Sequence, residues 1–105
     1  MTNSDITPAD LKARLTAGET LFIIDVREPW ENEQQALPAA TLNIPLNIPL
    51  NTLPGRLDEI ADHQDDEVIV YCRSGARSAT AKAFLQQQGY TNVRNLLGGI
   101  LAYEA

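Results

Sequence analysis

The chain has 105 residues, 44% hydrophobic and 21% charged, the size and balance of one folded domain spanning 1–105. Its formal charge of -6 argues against broad nucleic-acid binding, which needs cations to displace counterions, and gives no attraction to an anionic membrane. Its single cysteine excludes an internal disulfide framework and any multi-cysteine zinc site.

The first residues lack the basic start and apolar stretch of a secretory leader, and no apolar run approaches the ~20 residues that span a bilayer. With a lone thiol, this predicts a cytoplasmic protein. Thr7 and Pro8 read as N-cap and first position of a helix, with Asp10 facing its free amides. Leu11 and Leu15 share one face, and Gly18 is the stop. Leu21 to Ile24 is a continuous apolar run ending in Asp25-Val26-Arg27, the pattern of a strand covered on both faces. Pro29 stops it, and the polar stretch Glu28 to Gln35 predicts a helical turn or two. Trp30 within it either covers the sheet edge, the favoured reading, or docks a partner.

Leu42-Asn43-Ile44-Pro45 is a second, shorter strand candidate. Pro38, Pro45, Pro49 and Pro54 argue against long regular elements between 38 and 54. Arg56 to Ala61 reads as a short helix, and Asp62 to Glu67 as a solvated connection in which His63 has no partner at metal spacing. Val68 to Tyr71 is the clearest strand. A helix over Ala79 to Gln88 follows, with Ala76, Thr80, Ala83 and Phe84 on its inner side and Gly89 at its end. Val93 to Leu97 is a last strand, and Gly98-Gly99 opens a closing segment. Alternating apolar strands and helices predict an α/β sandwich with a largely parallel sheet.

The chemistry concentrates in Cys72-Arg73-Ser74-Gly75-Ala76-Arg77-Ser78, between the clearest strand and the helix after it. Sites in parallel sheets favour the carboxyl ends of strands. Gly75 permits a tight turn with inward amides, a nest for an anion, and the helix adds the positive end of its dipole. Both effects favour the thiolate of Cys72 and would hold the charge of a persulfide. Arg73 and Arg77 can attract an anionic donor, and Ser74 and Ser78 add hydroxyl donors.

These motifs, with Ile6-Thr7-Pro8, Ile24-Asp25-Val26-Arg27-Glu28-Pro29, Leu42-Asn43-Ile44-Pro45-Leu46, Gly89-Tyr90-Thr91-Asn92-Val93 and Leu97-Gly98-Gly99-Ile100, run in an order that resembles the rhodanese-like family. The resemblance implies an α/β fold with a five-stranded parallel sheet flanked by helices. It implies Cys72 as persulfide carrier and residues 73 to 77 as its amide cradle. It implies a structural role for Asp25, and loop support or substrate attraction for Arg27. The expected activity is that of a thiosulfate sulfurtransferase, moving sulfur from a small anionic donor to cyanide or a thiol, with no cofactor and no metal. A protein-to-protein sulfur relay and a non-catalytic binding domain are the alternatives. Cys72 through Arg77 is the six-residue loop of sulfurtransferases, one shorter than in rhodanese-like phosphatases. Two positions depart from the family pattern: Ala36 stands where a histidine is usual, and Tyr103 where a tryptophan is.

Overall fold

The computed structural model describes residues 4–37 and 45–105. Its elements are α1 (Pro8–Thr16), β1 (Phe22–Asp25), α2 (Pro29–Gln34), β2 (Leu46–Asn47), a 3₁₀ segment (Leu50–His63), β3 (Glu67–Tyr71), α3 (Ala76–Gln87), β4 (Asn92–Asn95) and α4 (Gly99–Glu104). The first helix starts as its residues dictate. Thr7 Oγ1 accepts the N–H of Asp10 at 3.1 Å, and Pro8, which has no N–H to leave unpaired, stands just behind the cap.

Among the described residues the sheet has four strands in the order β2-β1-β3-β4, all parallel, which corrects the expected five. The place of a fifth is taken by Ile6 alone, bridged to Leu96. Its N–H donates to Asn95 O and its carbonyl accepts from Leu97 N. The chain cannot extend this pairing forward, because Thr7 and Pro8 turn it at once into α1. Residues 42–44 of the predicted second strand lie outside the described residues. The strand that pairs with β1 is Leu46–Asn47, just beyond them.

The long apolar runs of β1 and β3 are explained by cover on both faces. Side chains alternate along a strand. Val68 and Val70 therefore enter one cluster with Ile24, Leu53, Ile60, Ala81 and Leu85, beneath α3 and the 3₁₀ segment. Ile69 and Tyr71 enter the other with Ile23, Leu11, Ile100 and Tyr103, beneath α1 and α4. The 3₁₀ segment begins before the predicted Arg56 and includes Pro54, with a non-helical residue at Arg56. Short 3₁₀ turns tolerate a proline that a long α-helix would not.

The third helix also differs from expectation. It begins at Ala76, and its buried residues are Ser78, Ala81 and Leu85, whereas Ala76, Thr80 and Ala83 are exposed. Choosing apolar residues alone misses Ser78, a polar residue drawn inward by polar partners at the end of β3. At the opposite end of the sheet, Glu67 binds Arg14 of α1 through both carboxylate oxygens and Arg94 of β4 at 2.9 Å, tying three elements together. Among the described residues no helix is long and apolar enough to cross a membrane.

Candidate active site

The chain leaves β3 at Tyr71 and enters α3 at Ala76, so Cys72 stands at the carboxyl edge of a central strand. Gly75 makes the turn with φ of 104°, a region that L side chains rarely adopt. The turn aims amides at sulfur. Gly75 N–H lies 3.1 Å and Ser78 N–H 3.4 Å from Cys72 Sγ, with Ser78 Oγ at 3.3 Å. Burial pushes the thiol up, because a buried charge is poorly solvated. The Ser78 hydroxyl and the N–H groups of Ser78, Gly75 and Ser74 pull it down, and the net result lies below the ordinary thiol value.

The back of this loop rests on α4. Ile100 N–H donates to Cys72 O at 2.9 Å and Leu101 N–H to Arg73 O at 3.1 Å. A side chain at Gly99 would drive its Cβ into the Arg73 carbonyl and to within 2.6 Å of Cys72 O, at a φ of 64°. Only glycine permits that approach, so the Gly98-Gly99 pair sets the position of the loop.

The arginines divide their work. Arg77 forms a bidentate pair with Glu31 of α2, at 2.7 and 2.9 Å, which neutralises much of its charge and braces the loop against that helix. Arg73 is exposed. It lines a small depression of about 120 Å³ with Arg27, Trp30, Glu31, Gln34 and Gln35. Trp30 is 61% exposed on this rim, which overturns the favoured reading of it as cover for the sheet.

The Glu31 hydrogen bonds to Arg77 hold its carboxyl down at about 2, from an ordinary 4.5. A depressed carboxylate stabilises the fold above its unfolded value and loses that contribution as pH falls toward its folded one. Glu31→Gln is therefore expected to melt below the native protein near neutral pH, with the difference closing as pH drops from about 4.5 to about 2. Thermal melts across that range check this. A difference constant with pH would show that the carboxylate charge is not what stabilises the loop.

Beside the loop, Asp25 and Arg27 form a buried ion pair, 0% and 2% exposed. Asp25 Oδ1 accepts from the backbone N–H and Nε of Arg27, both at 2.9 Å. Its Oδ2 accepts from Arg27 Nη2 at 2.8 Å, Asn32 Nδ2 at 2.9 Å and the Tyr71 hydroxyl at 3.1 Å. Arg27 also lies over the Tyr71 ring, 5.3 Å from its centre, and donates to the Gln35 carbonyl. Burial, ahead of the Asp25 charge, pushes the Tyr71 phenol up to about 12, so it stays a donor.

The structure thus brings Cys72, Gly75 and Ser78 together, joins Arg77 to Glu31, and sets Asp25 and Arg27 in a separate buried pair. The sequence reading missed Glu31, Asn32, Tyr71, Gly99 and Asn95 as parts of the site. Asn95 carried a readable signal, a polar residue two positions after the buried Val93 and hence on the same inward face.

A family model described as a rhodanese-like domain matches residues 7–105. A sulfurtransferase of Allochromatium vinosum is 42% identical over 100 residues, covering 95% of this chain and 87% of its own. A rhodanese-related protein from Thermoplasma volcanium superposes with a TM-score of 0.78 at 30% identity, over 96% of this chain and 90% of that one. A rhodanese-like domain protein from Staphylococcus aureus gives a TM-score of 0.82 at 27% identity, over 97% and 91% of the two chains.

Proposed function

Because the chain belongs to the rhodanese-like domain family, we propose that it is a sulfurtransferase that carries sulfur as a persulfide on Cys72. The observation that carries the proposal is the cradle of N–H groups around Cys72 Sγ, which favours an anionic sulfur at the end of β3. The thiolate attacks the outer sulfur of a donor such as thiosulfate. A Cys72 S–S bond forms, the donor's S–S bond breaks, and its electron pair leaves on sulfite. An acceptor such as cyanide or a thiol then attacks the outer persulfide sulfur, and the pair returns to Cys72. Arg77, paired with Glu31, braces the loop against α2, and the buried Asp25–Arg27 pair anchors the end of β1 beside it. Arg73, exposed at the rim, is the cation that meets the incoming anion. Transfer of sulfur from thiosulfate to cyanide, read as thiocyanate, tests this. Turnover is expected, with Arg73→Ala raising the KM for thiosulfate. Absence of turnover with thiosulfate and with a persulfide donor would remove the enzymatic reading.

A second reading, relay of sulfur to a protein acceptor, is favoured by one observation. Trp30, Leu97 and Leu101 are exposed, and two of them adjoin Arg73: Trp30 across the depression and Leu101 through its N–H. Faster transfer to a protein thiol than to cyanide, slowed by Trp30→Ala, would select it.

A further inference from the structure

The Ser78 hydroxyl has one proton and two acceptors. Its Oγ lies 2.6 Å from Asn95 Oδ1 and 3.3 Å from Cys72 Sγ. The orientation of the Asn95 amide is set by its other end, where Nδ2 donates to the Gly75 carbonyl at 3.1 Å. Turning the amide over would place two carbonyl oxygens in contact. Asn95 Oδ1 therefore accepts, and while Cys72 is neutral the Ser78 proton points to it. All three side chains are buried, with Ser78 0%, Cys72 1% and Asn95 6% exposed, so water is a poor substitute for any of these bonds.

A single proton shared between two acceptors separates the two states of the thiol. When Cys72 is neutral, its S–H donates to Ser78 Oγ and Ser78 donates to Asn95, and the chain is complete. When Cys72 loses its proton to bulk water, the thiolate calls for the Ser78 proton. The hydroxyl turns to the charged sulfur, the stronger acceptor, and leaves Asn95 Oδ1 without its donor. We propose that Asn95 is a positioning residue that sets the ionisation of Cys72 by competing with its sulfur for the single Ser78 proton. Once a persulfide forms, the charge moves to the outer sulfur and Sγ no longer needs that proton. Asn95 thus disfavours the free thiolate relative to the neutral and loaded forms. The inference rests on the reading of Cys72 as the reactive thiol and deepens it.

Other charges act on the same sulfur. Arg77 faces it from α3, with Glu31 of α2 paired to that guanidinium. Arg73 flanks it on the loop, and the Asp25–Arg27 pair lies at the end of β1. Asp5 takes the Asn95 backbone N–H and pairs with Lys82 of α3. These residues are the same in the native protein and the variants, so a difference between them reports the Asn95 side chain.

The test is the pH dependence of Cys72 alkylation by iodoacetamide, in the native protein, Asn95→Ala, Ser78→Ala and the double variant. A hydrogen bond to a charged group is worth about one pH unit of titration. Asn95→Ala is expected to move the alkylation midpoint to lower pH by about one pH unit. In the Ser78→Ala background the same substitution is expected to lower nothing. If Asn95 served only to hold the Gly75 carbonyl and the amide cradle, its loss would raise the midpoint with or without Ser78; that result, or no change, overturns the proposal. Should Asn95→Ala fail to fold, carbon-13 NMR of the native protein decides. The Asn95 side-chain carbonyl should titrate with the Cys72 midpoint as its hydrogen bond is handed over, and a flat response overturns the proposal. Alkylation needs no sulfur donor. A protein inactive with every donor but sensitive to Asn95 would refute the sulfurtransferase reading alone; an active one insensitive to Asn95 would refute this inference alone.

Discussion

Cys72→Ser loses sulfur transfer to the uncatalysed background, a fall on the order of 10³-fold or more, while its thermal melt stays close to native. The expectation follows from the lack of another thiol. Cys72 is the chain's only cysteine, and a serine hydroxyl in the same cradle is neither ionised near neutral pH nor able to form a persulfide. The exchange of sulfur for oxygen keeps the Gly75 and Ser78 N–H groups near an acceptor, so the loop retains its reason to close. Thiocyanate production and a melting curve on the same preparation check both halves. Activity retained in the variant would place the chemistry elsewhere. Activity lost together with the fold would make the variant uninformative about the role of Cys72, and Cys72→Ala would then replace it in the same two assays.

Asp25→Asn is expected to lower the stability of the protein by about 3–5 kcal/mol, a large share of the 5–15 kcal/mol that holds a typical domain folded. The substitution preserves shape but removes the charge opposite Arg27, which is 2% exposed and cannot turn out to water. It also replaces one carboxylate oxygen, so that Asp25 can no longer serve Arg27, Asn32 and Tyr71 together. A double replacement, Asp25→Leu with Arg27→Met, is expected to recover part of the loss, because removing both charges leaves no unpaired ion in the interior. Urea denaturation of the three proteins measures this. A single variant within about 1 kcal/mol of native would mean that the pair is solvated in solution and does not anchor the end of β1.

Local features were legible in the sequence, and long-range ones were not. The Thr7-Pro8-Asp10 start of α1, the apolar runs of β1 and β3 and the turn at Gly75 each depend on neighbouring residues, and the structure has them in place. The count of five strands came from the family resemblance and not from the apolar runs; Ile6 makes only a single bridge before Thr7 and Pro8 turn the chain into α1. The inner face of α3 was misread because burial was inferred from apolarity, whereas Ser78 goes inward to meet Cys72 and Asn95. The pairing of Arg77 with Glu31 was not legible because the two lie 46 positions apart, across a packing of α2 on the loop that no local pattern encodes. Cover for the sheet edge is the favoured sequence reading of Trp30 because a large exposed aromatic needs a reason, yet α2 has no buried residue, and the ring stands out beside Arg73.

The central claim is that Cys72 accepts and holds a sulfur atom. Intact-mass analysis after incubation with thiosulfate or a low-molecular-weight persulfide, followed by mapping of the modified peptide, tests it most directly. The account predicts one added sulfur, located on Cys72, released by cyanide or thiol and absent from Cys72→Ser. A native chain that stays unmodified with every donor, or a sulfur found outside the peptide carrying Cys72, would contradict it.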